Sequence, residues 1–275
     1  MFLTPTRSAL KLWPQRLANL IMVCLVASTS IFGVVKVAGA AAWPSVGPQG
    51  GLERIYDFVE VDGTIYAALR DSEKGVWTYS AGTWSQMADS PDNVTSLDAD
   101  DDGTLYAGTR FDGVWMYQND EWTQVNDTLN EIRDIVSFNG SLYVARGDGV
   151  WSNEGGMWAE MAGGPPDSVQ VLLEAGGTLY AGAHRFGSDV WRYDGNSWSQ
   201  MAGSPGAVYA LYETGSVLYA GTDGNSVWAY DGVNWTQIGG PATGVRVFVE
   251  LNGILYAGTD TNSEGVWAYD INYGN

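Results

Sequence analysis

Four of the eight arginines that follow residue 40 stand at one recurring place. Arg70, Arg110, Arg146 and Arg185 each come three to five residues after the tyrosine of a short Tyr-led strand. The matching positions of two further copies hold Asp223 and Asp260. A guanidinium carries five N–H donors in a planar fork that fits a carboxylate or another oxyanion. An arc of such groups on an acidic chain reads either as an anion-binding rim or as cations balancing acids on neighbouring repeats. His184, the only histidine, adjoins Arg185. A lone His cannot build a His-cluster metal site, and as a general base it would need a nucleophile that the sequence does not identify. The run Asp98-Ala99-Asp100-Asp101-Asp102-Gly103 opens like a calcium loop, with oxygens at alternate positions and a Gly for the turn. Asp98, Asp100 and Asp102 are therefore the expected metal ligands, and Ca2+ the expected ion. Thr109 stands where a bidentate Glu would complete such a loop. No Gly-x-Ser-x-Gly, His-Glu-x-x-His or phosphate-loop motif occurs.

The elements that must position these residues follow from a repeat. Tyr66, Tyr106, Tyr143, Tyr180, Tyr219 and Tyr256 recur at intervals of 40, 37, 37, 39 and 37. A second series is Trp77, Trp115, Trp151, Trp191, Trp228 and Trp267. A third follows the first five of these by seven residues: Trp84, Trp122, Trp158, Trp198 and Trp235. Each copy reads as four short strands rich in Tyr, Trp, Val and Thr, separated by Gly, Asp and Asn turns. A four-strand unit of this length, repeated six times, predicts an all-β fold, a six-bladed β-propeller. The blades fall at about 55–93, 94–131, 132–168, 169–207, 208–244 and 245–275. The sixth copy should carry Trp at 274, where Gly274 stands. The segment from Trp43 aligns with the one from Trp235, so residues 43–54 are expected to supply the last strand and close the ring. The repeated Tyr, Trp and Val are expected to pack blade on blade. Gly108, Gly182, Gly221 and Gly258 are expected to let a neighbouring aromatic approach the backbone. One residue of each first strand is expected near the central channel: Tyr56, Thr95, Arg133, Gln170, Tyr209 and Arg246.

The first forty residues read differently. Arg7, Lys11 and Arg16 precede an apolar run of 19 residues, Leu17 to Val35, and then Ala38-Gly39-Ala40. This is the layout of a secretory signal peptide, cleaved after Ala40. The rival reading is an uncleaved anchor, the one case in which a membrane enters. Cys24, the only cysteine, lies inside the run, so the mature chain has no disulfide. Cleavage leaves nine Lys and Arg against 32 Asp and Glu, a charge of −23. That balance excludes nucleic-acid binding by charge, and the signal-peptide layout leads to the expectation of a secreted, periplasmic or cell-surface protein. Four Asn-x-Ser/Thr sequons, at Asn93, Asn126, Asn139 and Asn234, read as turn residues or as glycosylation sites.

The blade pattern, with W-x-Q, Gly-x-Leu-Tyr and Val-Trp-x-Tyr-Asp-Gly, resembles tectonin and tachylectin-type lectin repeats over residues 43–275. It also resembles secreted bacterial propellers with LYAGT and VWRYDG blades. The lectin resemblance implies a non-catalytic binding module whose partner is a glycan or surface polysaccharide. The ligand-binding candidates are Arg70, Arg110, Arg146, His184, Arg185, Asp223 and Asp260. The alternatives are an extracytoplasmic hydrolase or lyase, and a scaffold for protein partners.

Overall fold

The computed structural model describes residues 55–69, 75–166, 168–185, 189–224, 227–259 and 265–272. The architecture is a six-bladed β-propeller of antiparallel sheets. Blade 1 holds β1 (Ile55–Val61), β2 (Thr64–Leu69), β3 (Val76–Ser80) and β4 (Thr83–Gln86). Blade 2 holds β5 (Val94–Ala99), β6 (Leu105–Thr109), β7 (Val114–Gln118) and β8 (Glu121–Asn126). Blade 3 holds β9 (Asp134–Phe138), β10 (Ser141–Arg146), β11 (Gly149–Ser152) and the short β12 (Ala159–Glu160). Blade 4 holds β13 (Val169–Ala175), β14 (Thr178–Ala183), β15 (Val190–Tyr193) and β16 (Trp198–Gln200). Blade 5 holds β17 (Val208–Thr214), β18 (Val217–Thr222), β19 (Val227–Tyr230) and β20 (Trp235–Gly239). Blade 6 holds β21 (Val245–Leu251), β22 (Ile254–Thr259) and β23 (Val266–Asp270), three strands among the described residues. The expected closing strand, 43–54, lies outside the described residues. Among the described residues no helix is long and apolar enough to cross a membrane.

Turn chemistry sets each sheet. The hairpin between the first two strands is a two-residue turn with both residues at positive φ in blades 1, 3, 4, 5 and 6: Asp62-Gly63, Asn139-Gly140, Gly176-Gly177, Gly215-Ser216 and Asn252-Gly253. This conformation matches the right-handed twist of the strands it joins. Blade 2 has a longer turn here, and its acidic run is spent on holding it. Asp100 Oδ1 accepts from the amides of Asp102 (3.1 Å) and Thr104 (2.9 Å), and its Oδ2 accepts from the Tyr106 hydroxyl (3.0 Å).

The core lies between blades. Val136, Tyr143 and Val150 of blade 3 pack with Leu172, Leu179 and Tyr193 of blade 4, and comparable clusters join blades 1 and 2, 2 and 3, 4 and 5, and 5 and 6. The glycine expectation needs correction. A Cβ built on Gly108 would sit 2.5 Å from Ile132 Cγ2, on Gly182 2.6 Å from Val208 Cγ1, and on Gly221 2.6 Å from Val245 Cγ1. At each the nearest atom belongs to a β-branched aliphatic side chain of the next blade, and at Gly221 an aromatic ring also comes close, Phe248 Cε2 at 3.1 Å. At Gly258 the near atom is Val247 Cγ1, within its own blade.

Buried polar groups tie the inner strands together. Asp57 Oδ2 accepts from Leu97 N (2.9 Å) of the next blade and lies 3.0 Å from Ser96 Oγ. Asp134 Oδ2 accepts from Leu172 N (2.7 Å) in blade 4, and its Oδ1 lies 2.8 Å from the same Ser96 Oγ. All three side chains are buried.

Candidate functional site

The inner strands surround a central cavity of about 1350 Å³, with residues from all six blades in its wall. Its upper mouth is built by one repeated irregularity. The pairing of first and second strands skips one residue in five blades, between Ile55/Asp57, Val94/Ser96, Val169/Val171, Val208/Ala210 and Val245/Val247. The skipped residues are Tyr56, Thr95, Gln170, Tyr209 and Arg246. A β-bulge leaves its extra residue out of the ladder and re-aims the side chain. In blade 3 Arg133 stands at the equivalent place, just before β9, with its amide bonded to Ala145 O (2.9 Å). All six line the cavity, as expected from sequence. Thr95 turns its hydroxyl to backbone, towards Ile132 O (2.6 Å) and Gly108 O (3.0 Å).

Around blades 4 to 6 the mouth is a stack of rings and cations. The His184 ring meets Tyr209 edge-on at 4.5 Å. The Arg246 guanidinium lies over the same Tyr209 ring, 3.4 Å from its centroid, and reaches Asp223 Oδ1 at 3.6 Å. Blade 3 adds Arg133, whose Nη1 donates to Val169 O (3.2 Å). Burial lowers the Arg133 pKa, and the nearby Arg185 guanidinium lowers it further; Glu131 and Asp148 oppose this. Two guanidinium groups, Arg133 and Arg246, thus stand in the cavity wall at this end.

The predicted arc is only partly gathered there. His184 and Asp223 join the mouth through Tyr209 and Arg246. Arg185 acts on Arg133 electrostatically and is exposed. Arg110 stacks on Phe111 of its own loop at 5.0 Å. Arg146 pairs with Asp148 of its own hairpin (3.3 Å) and lies over Trp151. Arg70 and Asp260 lie outside the described residues. The loops after the second strand do share this end of the ring, because Arg110 N bonds Asn93 O just before β5.

The lower end is acidic, with Glu60, Glu174, Glu213 and Asp100 to Asp102 in its wall. The three expected calcium ligands do not converge. Asp98 Oδ2 accepts from Ser137 N (2.6 Å) in blade 3, and Asp100 is engaged by its own turn. Among the described residues no group of three or more His, Cys, Asp or Glu is arranged to hold a metal ion.

Comparison by sequence with protein families and with curated proteins gives no match. Solved structures match by fold. One is the extracellular domain of a protein described as a one-component system from B. thetaiotaomicron: TM-score 0.65, 18% identity, covering 78% of this chain and 31% of that one. A computationally designed protein, Ika8, matches with TM-score 0.64 and 14% identity, covering 82% of this chain and 74% of that one. A protein described as a gluconolactonase matches with TM-score 0.50 and 14% identity, covering 75% of this chain and 83% of that one. The chain thus spans less than a third of the bacterial sensor it resembles. These likenesses show the propeller fold, and among their owners are domains that work outside the cytosol.

Proposed function

We propose that the chain is an extracytoplasmic binding module that holds an acidic glycan by its carboxylate at the cationic mouth. One observation carries this reading: a bulge, or its equivalent in blade 3, turns Arg133, Gln170, Tyr209, Arg246 and Tyr56 into one cavity wall, with His184 against Tyr209. Planar donors suit a carboxylate, and aromatic faces beside them suit a sugar ring. The bacterial sensor's extracellular domain agrees with a place outside the cytosol. The alternative is a hydrolase or lyase with its site on the Arg and His184 face, where the His184 ring meets Tyr209.

Calorimetric titration with an oligouronate and its carboxyl-reduced counterpart tests the reading. The oligouronate is expected to bind, and Arg246→Ala to weaken it at least about tenfold, the loss typical of a charged hydrogen bond. Equal affinity for the neutral counterpart overturns the carboxylate assignment. Turnover of the oligouronate that disappears in a folded His184→Ala variant would favour the enzyme.

A further inference from the structure

The third blade breaks the repeat at one pair of residues. In the other four-stranded blades a Tyr on the third strand stands across from the Trp of the outer strand. The ring centroids lie 5.1 Å apart for Tyr79–Trp84 and 5.2 Å for Tyr117–Trp122, Tyr193–Trp198 and Tyr230–Trp235. The rings are tilted by 33–43°. Four independent copies thus build the same aromatic couple. In blade 3 the pairing of Trp151 with Glu160 and Ser152 with Ala159 sets Asn153 opposite Trp158. Asn153 turns its Oδ1 to Leu142 N (2.7 Å), and the chain then makes a short 3-10 turn, Glu154–Gly156. Trp158 has no ring partner among the described residues.

Trp158 packs against the buried cluster of Val114, Ile135 and Leu142 that joins blades 2 and 3, and it also lines the cavity. The cavity extends outward from the lower end of the channel between blades 2 and 3. There it is walled by Tyr106, Met116 and Val125 on one side and by Asn153, Gly156 and Trp158 on the other. The indole N–H groups of Trp84, Trp122, Trp198 and Trp235 are buried without a partner; that of Trp158 is not among them. Val125 (38% exposed) and Met157 (78%), next to Trp158, are also among the few large apolar residues open to solvent.

We propose that this cleft is a binding site for a free phenolic compound, whose ring takes the place that tyrosine fills in the other blades. The protein displays the complement four times, so ring size, tilt and partner are given by its own geometry. An aromatic pair is favourable beyond the area it buries, and an apolar cavity lacking a ring takes up a molecule of that shape. Met116 and Val125 supply an apolar wall, and Asn153 and Tyr106 polar edges for a hydroxyl. The site is separate from the cationic mouth and independent of the glycan reading.

The test is a ligand-observed NMR titration of the full purified protein with p-cresol, the tyrosine side chain as a free molecule. Saturable binding is expected, weakened at least about tenfold in Trp158→Ala and in Asn153→Tyr, since loss of an aromatic contact or of its space removes most of a small ligand's affinity. Trp158→Ala gives the same readout should Asn153→Tyr not fold. Cyclohexanol, similar in size but not aromatic, is expected not to compete. Absence of saturable binding, equal binding of cyclohexanol, or undiminished binding by a folded Asn153→Tyr variant overturns the proposal. Tighter binding of N-acetyl-tyrosine amide than of p-cresol would also overturn it, by assigning the cleft to a protein side chain.

Discussion

Gly108 has room for a hydrogen and little more. A methyl group there would meet Ile132 Cγ2 at 2.5 Å, and Ile132 is itself buried. Gly108→Ala is therefore expected to cost about 1–3 kcal/mol, the usual penalty of overpacking a fitted core, read as a lower urea midpoint with the slope unchanged. The recurrence of this glycine was legible in the sequence; the identity of its neighbour was not, since that contact crosses from one blade to the next. Arginine placement shows the same limit. Arg110 and Arg146 share a repeat position with Arg185 but are drawn to Phe111, Asp148 and Trp151 within their own loops. Repeat position fixes where a side chain starts, and its local neighbours decide where it ends. Asp100 follows the same rule: within an acidic run that spells the opening of a calcium loop, its carboxylate accepts from the Asp102 and Thr104 amides of its own turn. Asn153, by contrast, was readable. Val-Trp-Ser-Asn departs from Val-Trp-x-Tyr, a signal available without coordinates.

At the level of the element, the inner strands differ from the rest of each blade. Hydrophobic surfaces join blade to blade at mid-radius, while near the axis the joint is polar in blades 1 to 4. Asp134 supports both Ile135 N in its own strand and Leu172 N in the next blade. Asp134→Ala would leave the Leu172 amide buried without its acceptor. The expected loss is about 1–3 kcal/mol, and faster amide exchange at Leu172 by NMR would locate it. The six-blade count and the four-strand blade came directly from the spacing of Tyr and Trp. The inner bulges did not, because the skipped residue is the second of its strand and the alternation after it runs on uninterrupted. The six channel-facing positions were nevertheless found, through their variation where the rest of the strand repeats.

For the whole molecule the question is how the ring shuts. In blades 1, 2 and 4 the valine that opens the third strand is fully buried: Val76, Val114 and Val190 are 0% exposed. Its counterpart Val266 is 53% exposed and Trp267 is 44% exposed, on the one sheet described with three strands. The sequence register offers the segment from Trp43 for this edge. Removing residues 41–50 is accordingly expected to lower the melting temperature of the entire domain in one transition, as calorimetry would show. An unchanged transition would refute the register.

The skipped residues of the inner strands carry one more implication. A residue left out of the ladder has no strand pairing to keep, so its chemistry can change while the blade stays paired; Thr95, whose hydroxyl bonds Gly108 O and Ile132 O, is an exception. Five such positions, with Arg133 at the equivalent place in blade 3, form a panel on the cavity wall. Descendants of one ancestral propeller could therefore exchange ligands by rewriting Tyr56, Arg133, Gln170, Tyr209 and Arg246 alone, and a designer could do so by intent.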